Sequence, residues 1–129
     1  FLGRLCFSGD VTKLTTLQWK KIDEGISFYK EIAPIIKDGY SYLYENRGPS
    51  ARKLEGYQGV FRTGKDGSYL TVHVFDNPPE KIEITLPEEY RKLKVIKREY
   101  KGSTISADIK NGTVILTPST SMESISLLF

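Results

Sequence analysis

The chain has 129 residues, of which 39% are hydrophobic and 27% charged, with a formal charge of +3. That length supports one hydrophobic core rather than two full domains, and the composition is globular rather than disordered. No apolar run approaches the ~20 residues that cross a bilayer, and the mild, dispersed charge argues against nucleic acid or a membrane surface as partner.

The chain begins at Phe1 and its only methionine is Met122. Translation starts at methionine, so a trimmed chain is expected. Phe1–Ser8 is too short, and wrongly flanked, for a signal peptide. The lone Cys6 excludes an intrachain disulfide and makes a structural zinc site implausible, and its apolar neighbours predict a buried, inert thiol. The compartment stays open, with the cytoplasm slightly favoured over secretion.

The apolar run stops at Ser8-Gly9-Asp10, and a helix follows at once. Thr15 and Gln18 fit a capping box, with Leu14 and Trp19 at the two staple positions. Apolar residues then recur at Trp19, Ile22, Ile26, Tyr29, Ala33 and Ile36, a spacing that lays one stripe along a helix. Phe28, Ile32 and Ile35 form a second row. Pro34 should bend or tighten the last turn, and Gly39 should end the helix where positive φ is easy.

From Tyr40 the period becomes two. Tyr40, Tyr42 and Tyr44 share one face of a strand, and a polar stretch containing Gly48-Pro49-Ser50 follows. A hairpin is expected from Tyr57–Arg62 and Ser68–Phe75 around Gly64-Lys65-Asp66-Gly67. Pro78 and Pro79 stop the second arm. Lys81–Leu86, Leu93–Tyr100, Thr104–Ile109, Thr113–Leu116 and Ser124–Phe129 complete the strands, with Asn111-Gly112 as the strongest turn signal. About eight short strands after one amphipathic helix predict a mainly β protein, an antiparallel β-sandwich.

No motif carries catalysis by itself. His73 sits in a predicted strand between Val72 and Val74, without a converging nucleophile or carboxylate, so a packed or partly exposed strand histidine is expected. No metal or cofactor motif is present, and none is expected. Asp10, on a strand-to-helix loop, would lie at the active-site face of an α/β barrel. The alternative, favoured on the residues alone, is a turn cap. Tyr40, Tyr42 and Tyr44 could form a carbohydrate platform or, as the residues favour, pack inward with their hydroxyls at the rim. The basic run from Arg91 to Lys101 reads as a solvated strand face whose lysines discourage edge pairing.

The stretch SGDVTKLTTLQWKKIDEGISFYKEIAPIIKDG resembles the segment that closes the catalytic barrel in α-galactosidase-like glycoside hydrolases of families 36 and 27. Ser8-Gly9-Asp10 is similar to the small-residue-plus-acid end of the last barrel strand, and Phe28-Tyr29-Lys30 through Ile36 and Gly39 to the close of the helix after it. Ser68–Pro87 and Asn111–Ser121 resemble the C-terminal sandwich of the same enzymes. The resemblance implies that residues 1–39 end a truncated barrel and that residues 40–129 form the C-terminal sandwich domain. It also implies that the catalytic barrel of the parent chain is the partner, with carbohydrate a possible ligand. The Lys-Trp-Asp strand end and the acid/base aspartate of these enzymes have no counterpart here. A retaining glycosidase needs two carboxyl groups about 5 Å apart, and the resemblance places both upstream of Phe1. It therefore implies a non-catalytic chain, with Asp10 on the substrate side at most.

Overall fold

The structure, a computed structural model, describes residues 3, 5, 6, 10–47 and 52–129. The apolar run before Ser8, the Ser8-Gly9 pair and the Gly48-Pro49-Ser50 loop fall wholly or mostly outside these residues. Cys6 is exposed rather than buried.

The helix α1 spans Thr16–Asp38. The backbone N–H of Gln18 donates to the Thr15 hydroxyl at 3.3 Å, and the Thr15 N–H donates to the Gln18 side-chain oxygen at 2.8 Å. Two otherwise orphaned donors are thereby satisfied, and the chain enters the helix at the predicted residue. Its buried face differs from the longer stripe. Phe28, Ile32 and Ile35 are buried, whereas Ile22, Ile26, Tyr29, Ala33 and Ile36 are half-buried and Trp19 is exposed. Both rows are apolar at helical spacing, and only the surface beneath α1 selects between them.

At the far end Gly39 has φ −88°, not the predicted positive value. Space is the reason for glycine here: a Cβ would sit 2.5 Å from the Ile35 carbonyl oxygen and 2.7 Å from that of Thr63. The Gly39 N–H closes the helix on Ile35 at 2.9 Å.

Among the described residues eight strands follow: β1 (Tyr40–Arg47), β2 (Gly56–Gly64), β3 (Gly67–Val74), β4 (Ile82–Thr85), β5 (Arg98–Lys101), β6 (Ser106–Lys110), β7 (Thr113–Thr117) and β8 (Glu123–Leu128). They form two antiparallel sheets, of order β1-β2-β3-β8-β5 and β4-β7-β6. The β2–β3 hairpin turns through Lys65-Asp66, with Gly64 opposite Gly67. The β6–β7 hairpin turns through Asn111 (φ 51°) and Gly112 (φ 74°), the two-residue turn with positive φ at both positions that the sequence marks.

The predicted strand over Leu93–Tyr100 is shorter. Leu93 bonds back to the Tyr90 carbonyl at 3.0 Å, and pairing begins only at Arg98. Leu93 and Ile96 pack on the core while Val95 is exposed, a spacing of three that a strand cannot deliver on one face.

Alternation divides the five-stranded sheet into two faces. Phe61, Leu70, Val72, Val74, Ile125 and Leu127 point at the three-stranded sheet, where they meet Ile82, Ile84, Val114 and Leu116. Tyr69, Leu128 and Tyr100 point the other way and receive Phe28, Ile32 and Ile35 of α1. The result is three layers: helix, five strands, three strands. Burial pushes the Tyr69 phenol up to about 12, because desolvation disfavours a phenolate.

Two arginines fasten α1 to the sheet. From β2, Arg62 donates to the Ile35 carbonyl at 3.2 Å, to the Ile36 carbonyl and to the Ser41 hydroxyl at 2.8 Å. A guanidinium at a helix C-terminus satisfies free carbonyls and opposes the negative end of the dipole. From β5, Arg98 pairs with Glu31, bonds the Ser27 hydroxyl at 3.1 Å and lies 5.8 Å over the Phe28 ring.

Candidate functional site

Three surfaces collect the residues that the sequence singles out. The first is the turn at Asp10. Its carboxylate accepts from the Thr12 N–H at 3.1 Å, accepts from the Thr12 hydroxyl, and lies 3.3 Å from the Lys13 ammonium. It thereby caps a single 3-10 turn over Val11–Lys13. The Thr12 hydroxyl, the Thr12 N–H and Lys13 hold the carboxyl below its ordinary value, since all three favour the charged form. An exposed carboxylate with these partners is geometrically a turn cap.

The second surface is the face of β1. Tyr40, Tyr42 and Tyr44 stand opposite Thr63, Phe61 and Gly59, so all three point to the side of the three-stranded sheet. They do not share one environment. Tyr40 is 77% exposed, while Tyr42 and Tyr44 are half-buried and pack on the rim of the main core. The Tyr42 ring lies 6.2 Å from that of Phe61, and its hydroxyl donates to the Glu89 carboxylate at 3.1 Å.

That hydrogen bond raises the Tyr42 pKa, because the carboxylate stabilises the protonated phenol. Burial raises that of Tyr44. Tyr57 and Tyr90 join the same rim. The sequence interval of forty-odd residues hides the contribution of Glu89 and Tyr90, which only the 3-10 turn over Glu88–Tyr90 brings to β1.

The third surface is the first turn of α1. Leu17 is 72% and Trp19 42% exposed, and Val11 lies close by in sequence, also exposed. Leu17 lies on the helix in line with the buried row, two turns before Gly25, yet nothing covers it among the described residues. Among the described residues the hydrogen bonds from the first two turns of α1 to β5 are at Lys21, whose carbonyl accepts from the Tyr100 hydroxyl and whose ammonium reaches the Lys101 carbonyl. The first turn of α1 therefore reaches past the edge strand β5.

His73 is exposed on β3, opposite Gln58 and Ser124. Desolvation by the surrounding protein lowers its pKa. No group of three or more metal-ligating side chains occurs among the described residues. An open cleft of about 330 Å³ lies between the β3–β4 and β7–β8 connections, lined by Asp76, Pro78, Glu80, Pro118 and Ser119 among others. Below it Glu123 is buried, and its carboxylate accepts from Ser119 N–H at 2.7 Å, Ser119 hydroxyl at 2.8 Å and Thr120 N–H at 3.3 Å. These bonds hold the loop in place and use the carboxylate internally.

No family model, curated protein or solved structure matches this chain.

Proposed function

We propose that this chain is a non-catalytic C-terminal region of an α-galactosidase-like glycoside hydrolase, bracing a catalytic barrel that hydrolyses α-glycosidic bonds. The supporting observation is the helix with two apolar rows. One row is spent on the sandwich through Phe28, Ile32 and Ile35, with Leu17 exposed where that row runs on past Gly25, and the other row starts at the exposed Trp19. A helix carrying only one burial face needs one apolar stripe. A second stripe next to the stretch that resembles a barrel end suits a helix wedged between two bodies, where covering it is worth roughly 25 cal/mol per Å² of apolar surface.

The test compares the 129-residue chain with one extended upstream along its reading frame, both assayed on a nitrophenyl α-galactoside. The expected result is turnover by the extended chain alone, with its thermal stability lowered by Leu17→Asp. Turnover by the shorter chain, abolished by a substitution within it such as Asp10→Asn, would overturn the proposal.

Tyr40 favours a second reading, a carbohydrate-binding module acting on its own. A phenol that is 77% exposed beside two half-buried ones offers a flat apolar face for a sugar ring. Saturable oligosaccharide binding that is lost in Tyr40→Ala is the expected sign, and flat titrations dismiss it.

A further inference from the structure

Strand edges expose unpaired N–H and C=O groups, and proteins protect them with brevity, charge, proline or bulges. Among the described residues three edge strands carry such protection. β4 has four residues and lies between Pro78-Pro79 and Pro87, β5 has four residues including Arg98 and Lys101, and β6 has five including Asp108 and Lys110. β1 has none of it over its first five residues. It runs eight residues, Tyr40–Arg47, in unbroken register with Thr63–Gly56, and it opens with Tyr-Ser-Tyr-Leu-Tyr. Leu43 is 60% exposed there, and among the described residues no strand pairs with the far side of β1.

The hydrogen-bond phase of that edge follows from the next hairpin. Gly64 and Gly67 flank a two-residue turn, so their backbone groups bond each other, and the Phe75 N–H bonds the Gly56 carbonyl at 2.8 Å in the same phase. Even-numbered residues of β2 therefore bond β3, and odd-numbered ones bond β1. Their partners Tyr40, Tyr42, Tyr44 and Asn46 use their backbone groups inward. Ser41, Leu43, Glu45 and Arg47 are left with theirs along the free edge.

We propose that β1 pairs with β1 of a second copy of this chain, antiparallel about a two-fold axis at Leu43, to make a ten-stranded sheet. A two-fold axis normal to the sheet keeps like faces on one side, so paired residue numbers must add to an even number. Centring on Leu43 satisfies this and places a backbone-bonded pair on the axis. Ser41 then faces Glu45 of the second copy, hydroxyl against carboxylate. On the other face Tyr42 meets Tyr44 and Tyr40 meets Asn46. Aromatic cross-strand pairs stabilise sheets, and like charges directly opposite would oppose pairing. In this register no like charges meet within the paired segment, and the exposed Leu43 becomes covered by its own copy. The same patch serves both partners, as a closed two-fold dimer requires.

Sedimentation equilibrium of the full chain between ~1 and ~200 µM tests the proposal, with an expected rise from 14.7 kDa to roughly twice that mass. Leu43→Lys, which sets two ammonium groups on the axis, should weaken association at least about tenfold while far-UV circular dichroism stays unchanged. Oxidation of Leu43→Cys by diamide, in a Cys6→Ser background, should give a covalent dimer, and Arg47→Cys should not. A chain that stays monomeric at the highest concentration overturns the proposal, including one that instead takes up an extended segment of another protein on β1. So does a dimer indifferent to Leu43→Lys, or equal cross-linking at positions 43 and 47.

Discussion

Phe28→Ala tests the docking of α1 on the sandwich more sharply than any other single change. The Phe28 side chain is fully buried, its ring lies 6.0 Å from that of Tyr100, and the Arg98 guanidinium stands over it. Removing the ring forfeits about 1.5–3 kcal/mol of burial and about 0.5–1.5 kcal/mol of aromatic contact. A residual cavity between helix and sheet brings the expected loss to about 3–5 kcal/mol. Trp19→Ala is the control, since Trp19 is the larger side chain but is 42% exposed and lies on the other row; its expected cost is about 1 kcal/mol or less. Urea unfolding of both variants, followed by circular dichroism, measures the difference, and unchanged slopes would show that the same surface is exposed on unfolding. Equal losses for the two, or a greater loss for Trp19→Ala, would refute the assignment of the buried row and with it the three-layer arrangement.

Three further outcomes are expected. Gly39→Ala should cost at least about 1–3 kcal/mol in the same assay, because its Cβ would strike two backbone carbonyls that cannot move independently. Gly112→Ala should cost more than an ordinary surface change, roughly 1–2 kcal/mol, since alanine tolerates φ 74° poorly and its Cβ would meet Arg91 at 2.5 Å. The third concerns acid. Burial by itself would raise the Glu123 carboxyl, but hydrogen bonds from Ser103, from Ser119 and from the Ser119 and Thr120 N–H groups outweigh it and hold the pKa below the ordinary 4.5. A depressed folded value means that Glu123 adds stability above pH 4.5 and loses it as pH falls through the lower folded value. Thermal melts between pH 7 and pH 3 should therefore fall less steeply for Glu123→Gln than for the parent chain, and parallel curves would contradict the assignment.

Much of this fold was legible in local signals. The capping box at Thr15 and Gln18, the Asn111-Gly112 turn and the proline stop after Asn77 act within four residues, where neighbours along the chain are also neighbours in space. The alternation of Ile82, Ile84 and Leu86 likewise needs only the pleat of a strand to become one buried face. The same local chemistry makes Asp10 a turn cap.

Other features were not legible, because each depends on which surface arrives from far along the chain. Which apolar row of α1 is buried is decided by Tyr69 and Tyr100, and the requirement for glycine at position 39 by the approach of Thr63. Tyr42 donates its hydrogen bond to Glu89, and Tyr40 stands clear of the core at the start of β1. The residues alone determined periodicity, caps and turns, which are short-range properties of a chain in water. Tertiary structure decided the buried row, the crowded glycine and the open edge, since packing and ladder pairing depend on partners that sequence order does not place side by side.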